Sequence, residues 1–159
     1  MIILDTSVIA ETLRPNPHYN VISWLNEKDN SELYLSAIVV AELFSSVTGM
    51  PDGKRQRALR LRLAEAIQIK FDEQILPFDA LCAMQYAELM DSNQRQGTPM
   101  SMPDAQIAAT CLQHGATLAT RNSKSFLHCG IKLIDPWQVP AGQRLHEDAA
   151  EYYVMSRKS

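Results

Sequence analysis

The chain opens on a short apolar run, Met1-Ile2-Ile3-Leu4, that stops at the polar triplet Asp5-Thr6-Ser7. Such a run is strand-like, and Asp, Thr and Ser are favoured where a helix begins, so a strand entering a helix is predicted. The alternation then repeats. Residues 18–27 carry Val21, Ile22, Trp24 and Leu25 on a helical pattern, and residues 32–35 form a second short strand. Ser36 caps a helix predicted over 37–48, and Pro51-Asp52-Gly53 makes a turn. Within 54–70, Leu59, Leu63 and Ile67 recur every fourth residue and mark one buried stripe. A brief extended piece at 75–78 leads to a helix over 80–95, a loop around Gly97-Thr98-Pro99, and a helix over 101–114 stopped by Gly115. Residues 116–120 and 131–134 are the last strands. Short apolar strands alternating with longer helices predict an α/β fold with a parallel sheet covered on both faces. Ligands of such sheets bind beyond the carboxyl ends of the strands, where Asp5 and Thr120 are expected.

Beyond Trp137 the pattern changes, so residues 1–138 read as one domain and 139–159 as a polar C-terminal extension. A length of 159 residues suits a single domain with a real core. Hydrophobic residues at 46% and charged residues at 21% are ordinary for a soluble globular protein, and no apolar run is long enough to cross a bilayer. The first residues make a poor signal peptide, lacking a basic n-region. The three cysteines, Cys82, Cys111 and Cys129, form no C-x-x-C pair, which argues for a reducing cytoplasm rather than a disulfide framework. A net charge of −3 gives no global attraction for nucleic acid, which would have to be met by a local basic surface or a bound metal. Met84 and Met90 read as core filler. There is no Walker loop, dinucleotide fingerprint or nucleophile elbow.

The acids carry the chemistry. Asp5 lies between a strand and a helix, where it could equally serve as an N-cap. Asp104 stands in Ser101-Met102-Pro103-Asp104, which is the pattern of a capping box with proline in the first turn, so taken alone it reads as structural. Glu42 is different. It sits in Ala37-Ile38-Val39-Val40-Ala41-Glu42-Leu43-Phe44, a run otherwise wholly apolar, with no Lys or Arg within a turn. A charge on such a surface costs several kcal/mol, order of magnitude, unless it is paired or bound to a metal. Three carboxylates brought to one pocket would repel each other and take up protons unless a cation joined them. Oxygen-only ligands favour Mg²⁺ or Mn²⁺, and neither His nor Cys recurs at zinc spacing. A water on such an ion becomes acidic, which suits phosphodiester hydrolysis.

Lys54, Arg55, Arg57, Arg60 and Arg62 crowd one helix start, where cations oppose the helix dipole. A solvated face explains them, and so does a partner, protein or RNA, that uses the charge.

Four segments, in this order, resemble the PIN domain: Leu4-Asp5-Thr6-Ser7-Val8-Ile9, Tyr34-Leu35-Ser36-Ala37-Ile38-Val39-Val40-Ala41-Glu42-Leu43, Pro103-Asp104-Ala105-Gln106-Ile107-Ala108-Ala109-Thr110 and Leu118-Ala119-Thr120-Arg121-Asn122. Leu13-Arg14-Pro15 and Asp135-Pro136-Trp137 narrow the likeness to the VapC-type toxin ribonucleases of the FitB-like branch. The resemblance covers residues 1 to about 138 and implies a three-layer fold with about five parallel strands. It implies a Mg²⁺- or Mn²⁺-dependent endoribonuclease and a homodimer. It also implies a cognate antitoxin that blocks the site and a larger toxin–antitoxin assembly held on DNA through the antitoxin. Carried over by position, Asp5, Glu42 and Asp104 are the metal-binding, catalytic acids, with Thr120, Asn122 and Ser7 as neutral helpers. Arg14, Lys54, Arg55, Arg57 and Arg121 are candidates for RNA or partner contact. Many relatives carry a fourth acid where this chain has Asn122 or Ser125, and the Asn usual after Asp5-Thr6 is replaced by Ser7. The missing acid leaves open a catalytically degenerate PIN domain that binds RNA or protein without cutting. A phospho-receiver-like domain would want a Lys after the last strand, where the chain has Asp135-Pro136-Trp137 instead.

Overall fold

The computed structural model describes residues 1–138, and the polar extension expected at 139–159 lies outside them. Five strands and six α-helices alternate in it: β1 (Ile2–Leu4), α1 (Thr6–Thr12), α2 (Tyr19–Asn26), β2 (Leu33–Ser36), α3 (Ala37–Thr48), α4 (Lys54–Lys70), β3 (Ile75–Leu76), α5 (Ala80–Arg95), α6 (Met102–His114), β4 (Thr117–Ala119) and β5 (Leu133–Ile134). The predicted elements are all present, with ends shifted by one or two residues, as fraying ends allow.

Local chemistry sets the helix ends. The Ser36 hydroxyl accepts the Val39 N–H at 3.1 Å and starts α3. The Asp79 carboxylate accepts the Cys82 N–H at 2.9 Å and starts α5. The Ser101 hydroxyl accepts the Asp104 N–H at 3.3 Å and starts α6. Gly115 ends α6 with φ +60°, a left-handed turn that glycine adopts without steric cost.

All four strand pairs are parallel, in the order β3-β2-β1-β4-β5. The chain winds outward from β1 to β3, then crosses back to place β4 on the other side of β1. Right-handed crossovers running in opposite directions put helices on opposite faces, giving three layers. The core between them is aliphatic and small: Ile3, Leu4, Val8, Leu35, Val39, Ile107 and Leu118 are almost fully buried. Met90 packs against this core as expected, but Met84 does not: it is 63% exposed on α5, with a side chain that faces solvent rather than filling a gap. No helix among the described residues is long and apolar enough to cross a membrane.

The topology fixes where a site can form. Leu4 pairs with Ala119, and the ladder continues one step further through the Asp5 N–H, which donates to the Ala119 carbonyl at 2.9 Å. Thr120 is tied to β5 in the same way, its N–H donating to the Ile134 carbonyl at 2.9 Å. Asp5 and Thr120 therefore sit side by side at the carboxyl edge of β1 and β4, where the strand order reverses. That crevice is where open parallel sheets bind ligands.

Candidate metal centre

Asp5 occupies the N-cap position of α1, yet its side chain caps nothing. Instead its Oδ2 accepts two hydroxyls, Thr120 Oγ1 at 2.7 Å and Ser7 Oγ at 2.9 Å. It is only 7% exposed, and Thr120 is fully buried beneath it. The cap reading of Asp5 is thus displaced by a bond across the sheet edge. Ser7 and Thr120 are both used twice. The Ser7 hydroxyl accepts the Arg121 N–H at 3.2 Å, and the Thr120 hydroxyl accepts the Asn122 N–H at 3.0 Å. These bonds clamp residues 120–122 against the start of α1.

Glu42 is half-buried on α3, next to Leu43 in the stripe Val39, Leu43 and Val47 that faces the core. Its Oε1 accepts the Thr6 hydroxyl at 2.9 Å. Thr6 was legible in the sequence only as a helix-start residue. In the structure it also joins α1 to α3 at the acid. Burial holds the Glu42 carboxyl above its usual range. The Thr6 hydrogen bond opposes that rise, and the charges of Asp5 and Asp104 add to it. Asp104, in the first turn of α6, is also raised, chiefly by burial and further by Asp5, while Ser101 draws it down. The expected capping box is therefore half made: Ser101 caps α6, and the Asp104 carboxyl feels the other acids.

Asp5, Glu42 and Asp104 thus lie within one electrostatic neighbourhood, contributed by three separate helices. No cation balances them: the ion pairs among the described residues are Arg14–Glu11 and Arg95–Asp91. As they stand, no three His, Cys, Asp or Glu side chains among the described residues are grouped closely enough to hold a metal ion by themselves. An open arrangement suits Mg²⁺ or Mn²⁺, which keeps several waters and takes one or two carboxylates plus substrate oxygens rather than an all-protein cage. The donor set fits such an ion, since it is oxygen-only and its mutual repulsion is what a divalent charge would relieve.

The remaining candidates divide. Asn122 is exposed, and its amide nitrogen donates to Ser125 Oγ at 2.7 Å. The two positions that lack an acid are therefore hydrogen-bonded to each other. Arg14 is paired with Glu11 at 3.3 Å. Lys54, Arg55 and Arg57 are exposed on the first turns of α4, and among the described residues no ion pair ties them to the acids. Arg121 lies over the Trp137 ring, 5.3 Å from its centroid, a contact the sequence did not signal. Thiol chemistry has no support: all three cysteines are buried, and burial pushes the Cys111 thiol up to about 12, so it stays protonated.

Residues 2–130 match the family model described as PIN domain. Toxin FitB of Neisseria gonorrhoeae is 41% identical over 137 residues, which is 86% of this chain and 99% of that protein. VapC ribonuclease Y4jK of Sinorhizobium fredii is 38% identical over 138 residues, covering 87% of this chain and 99% of the relative. A solved structure of FitAB bound to a DNA fragment superposes with a TM-score of 0.83 at 38% identity, covering 89% of this chain and 99% of the matched chain.

Proposed function

Because the chain belongs to the PIN-domain family, in its VapC and FitB branch, we propose that it is a divalent-metal-dependent endoribonuclease and the toxin of a type II toxin–antitoxin pair. The observation that carries this reading is the bringing of Asp5, Glu42 and Asp104 into one electrostatic neighbourhood, with two of the three carboxyls raised and none of the three in an ion pair among the described residues. A relative of this length and identity is named a ribonuclease, and another a toxin.

In this reading residues 1–138 are the nuclease unit, and the three acids hold Mg²⁺ or Mn²⁺. When bound, the ion lowers the pKa of a water and offsets charge on a phosphoryl oxygen. The chain's own residues prepare the place. Thr120 and Ser7 both bond Asp5 through Oδ2, which fixes the carboxylate and leaves Oδ1 to face a ligand. Thr6 does the same for Glu42 through Oε1. Asp104, on the first turn of α6, completes the set, and it forms no ion pair among the described residues. The product of hydrolysis in line with the 3′ oxygen is a 5′ phosphate. The proposed partners are an RNA substrate, a second copy of the chain and a cognate antitoxin. The neighbouring FitAB structure is itself a DNA-bound assembly, which supports a larger complex on DNA through that antitoxin. The reduced cysteines suit a cytoplasmic protein.

The test is RNA cleavage with Mg²⁺ or Mn²⁺ against EDTA. Asp5→Asn should cost at least about 100-fold in rate, since it removes a ligand charge and leaves the fold intact. Equal cleavage by both proteins would sink the mechanism.

One observation favours a second reading. Asn122 and Ser125 form a neutral pair where many relatives place an acid. A degenerate PIN domain that binds RNA or protein without cutting would look the same there. Calorimetric titration separates the two, because failure to bind Mn²⁺ at millimolar concentration would favour the degenerate protein.

A further inference from the structure

Arg121 is linked to Asp5 by two routes and pairs with no acid itself among the described residues. It follows Thr120, whose hydroxyl bonds Asp5, and its own N–H donates to the Ser7 hydroxyl that also bonds Asp5. Its backbone is therefore fixed two bonds away from the Asp5 carboxylate. The side chain is exposed, and it lies over Trp137 with the guanidinium carbon 5.3 Å from the ring centroid. Trp137 is in turn held firmly. Its N–H donates to Asp135 Oδ1 at 3.0 Å, its carbonyl accepts the Asn20 amide from α2 at 2.7 Å, and its ring packs against the core. Arg14 and Arg95 each pair with an acid, and Arg121 forms no ion pair among the described residues.

We propose that Arg121, supported from below by Trp137, is a nucleotide platform. The outer face of its guanidinium stacks on one base of a single-stranded RNA, and its edge hydrogen-bonds the phosphate next to the one that is cut. This rests on the ribonuclease reading and names how that site holds its substrate. An arginine resting on an aromatic ring keeps its donors free while losing little further freedom when it binds. Unstacked RNA bases are bound on aromatic rings or on guanidinium planes, and a base inside a duplex has no free face to offer. Because every base has such a face, the platform selects single strands rather than a particular base. With a net charge of −3 no overall field draws RNA in, so a local cation such as Arg121 contributes attraction where the strand must sit.

Affinity is measured by fluorescence anisotropy with a short single-stranded RNA and the full chain, in an Asp5→Asn background that does not cut. Arg121→Ala should weaken binding about 10-fold. Arg121→Lys, which keeps the charge and loses the plane, should recover less than half of that loss on a logarithmic scale. Trp137→Leu should fall between the two, and because Arg121 is exposed its variants remain informative even if Trp137→Leu folds poorly. A strand carrying one abasic nucleotide at the platform should bind more weakly to the Arg121 protein and no more weakly than intact RNA to Arg121→Ala. Full binding by Arg121→Lys, or an abasic penalty that persists in Arg121→Ala, would show a point charge and overturn the platform. RNA bound with undiminished affinity by Arg121→Ala in that background, and cut as well as by wild type when Arg121→Ala is made with Asp5 intact, would also overturn it while leaving the nuclease standing. RNA neither bound nor cut by the wild-type chain would remove both.

Discussion

The short helix α1 carries buried acids at both ends, and they are treated in opposite ways. At its C-terminal end Glu11 is 6% exposed, and it is fully provided for: the His18 N–H donates to Oε1 at 2.8 Å, and Arg14 pairs with Oε2 at 3.3 Å. At the N-terminal end Asp5 is 7% exposed and, among the described residues, receives neutral hydroxyls, while its charge adds to the rise of the Glu42 and Asp104 carboxyls. A buried acid that serves the fold brings its counter-charge with it, because an unpaired buried charge is costly. Three acids brought together without one repel each other, and the proposed cation would relieve that repulsion.

The largest effect expected from this contrast is on metal binding. Mn²⁺ at 100 times its dissociation constant should stabilise the wild-type chain by about 2.7 kcal/mol. For a chain of this size that is a rise in Tm of roughly 5–10 °C. Glu42→Gln should abolish most of that rise, and Glu11→Gln should leave it unchanged. The Glu42 and Asp104 carboxyls are raised, so protons compete with the ion, and the stabilisation is present above their raised values and lost as pH falls through them. A thermal shift of equal size in Glu42→Gln would place the ion elsewhere.

Next in size is the loss of a paired acid. Glu11→Gln removes the partner of Arg14 and weakens the bond from His18, so it should lower stability by about 1–3 kcal/mol. The corresponding fall in Tm is roughly 3–10 °C, read by circular dichroism in EDTA. Cleavage per folded molecule should not change. A drop in activity with Tm intact would mean that Glu11 belongs to the site and that the two ends of α1 do not differ in kind.

The sequence showed one of these ends better than the other. Glu42 stood out because an isolated charge in an apolar helix violates the pattern around it, and strand alternation was enough to put Asp5 and Thr120 on one edge. The five-strand parallel sheet followed from the same alternation, and the PIN-like resemblance matched it. What stayed hidden was pairing between segments distant in sequence. Thr6 bonds Glu42 across 36 positions and Thr120 bonds Asp5 across 115. Arg121 meets Trp137 only once β5 has closed the sheet. Glu11 gave no sign of its burial, because a Glu near an exposed turn reads as solvated until the Arg14–His18 loop folds over it. Met84 misled in the opposite sense: a methionine on a helix suggests the core, but whether the face is covered depends on which helix packs there.

The smallest effect is also the sharpest test of the contrast, because it concerns sign rather than size. In the metal-free chain, burial first and the neighbouring acids second raise the Glu42 carboxyl above its ordinary value. Between the ordinary and the raised values the native state binds more protons than the unfolded chain. Stability from this group therefore falls as pH rises through that window and remains at its lower level at neutral pH. Glu42→Gln removes the charge and can still accept the Thr6 hydroxyl, so in EDTA it should be slightly more stable than wild type at pH 7 and no different in acid. Glu42 is only half-buried, so solvent screening limits the gain to about 0.5 kcal/mol, or roughly 1–2 °C in Tm. Glu11→Gln should move the other way at neutral pH, because there the charge is matched. If Glu42→Gln were instead less stable than wild type in EDTA, Glu42 would be an acid of the fold like Glu11, and the metal reading would lose the residue that most clearly supports it.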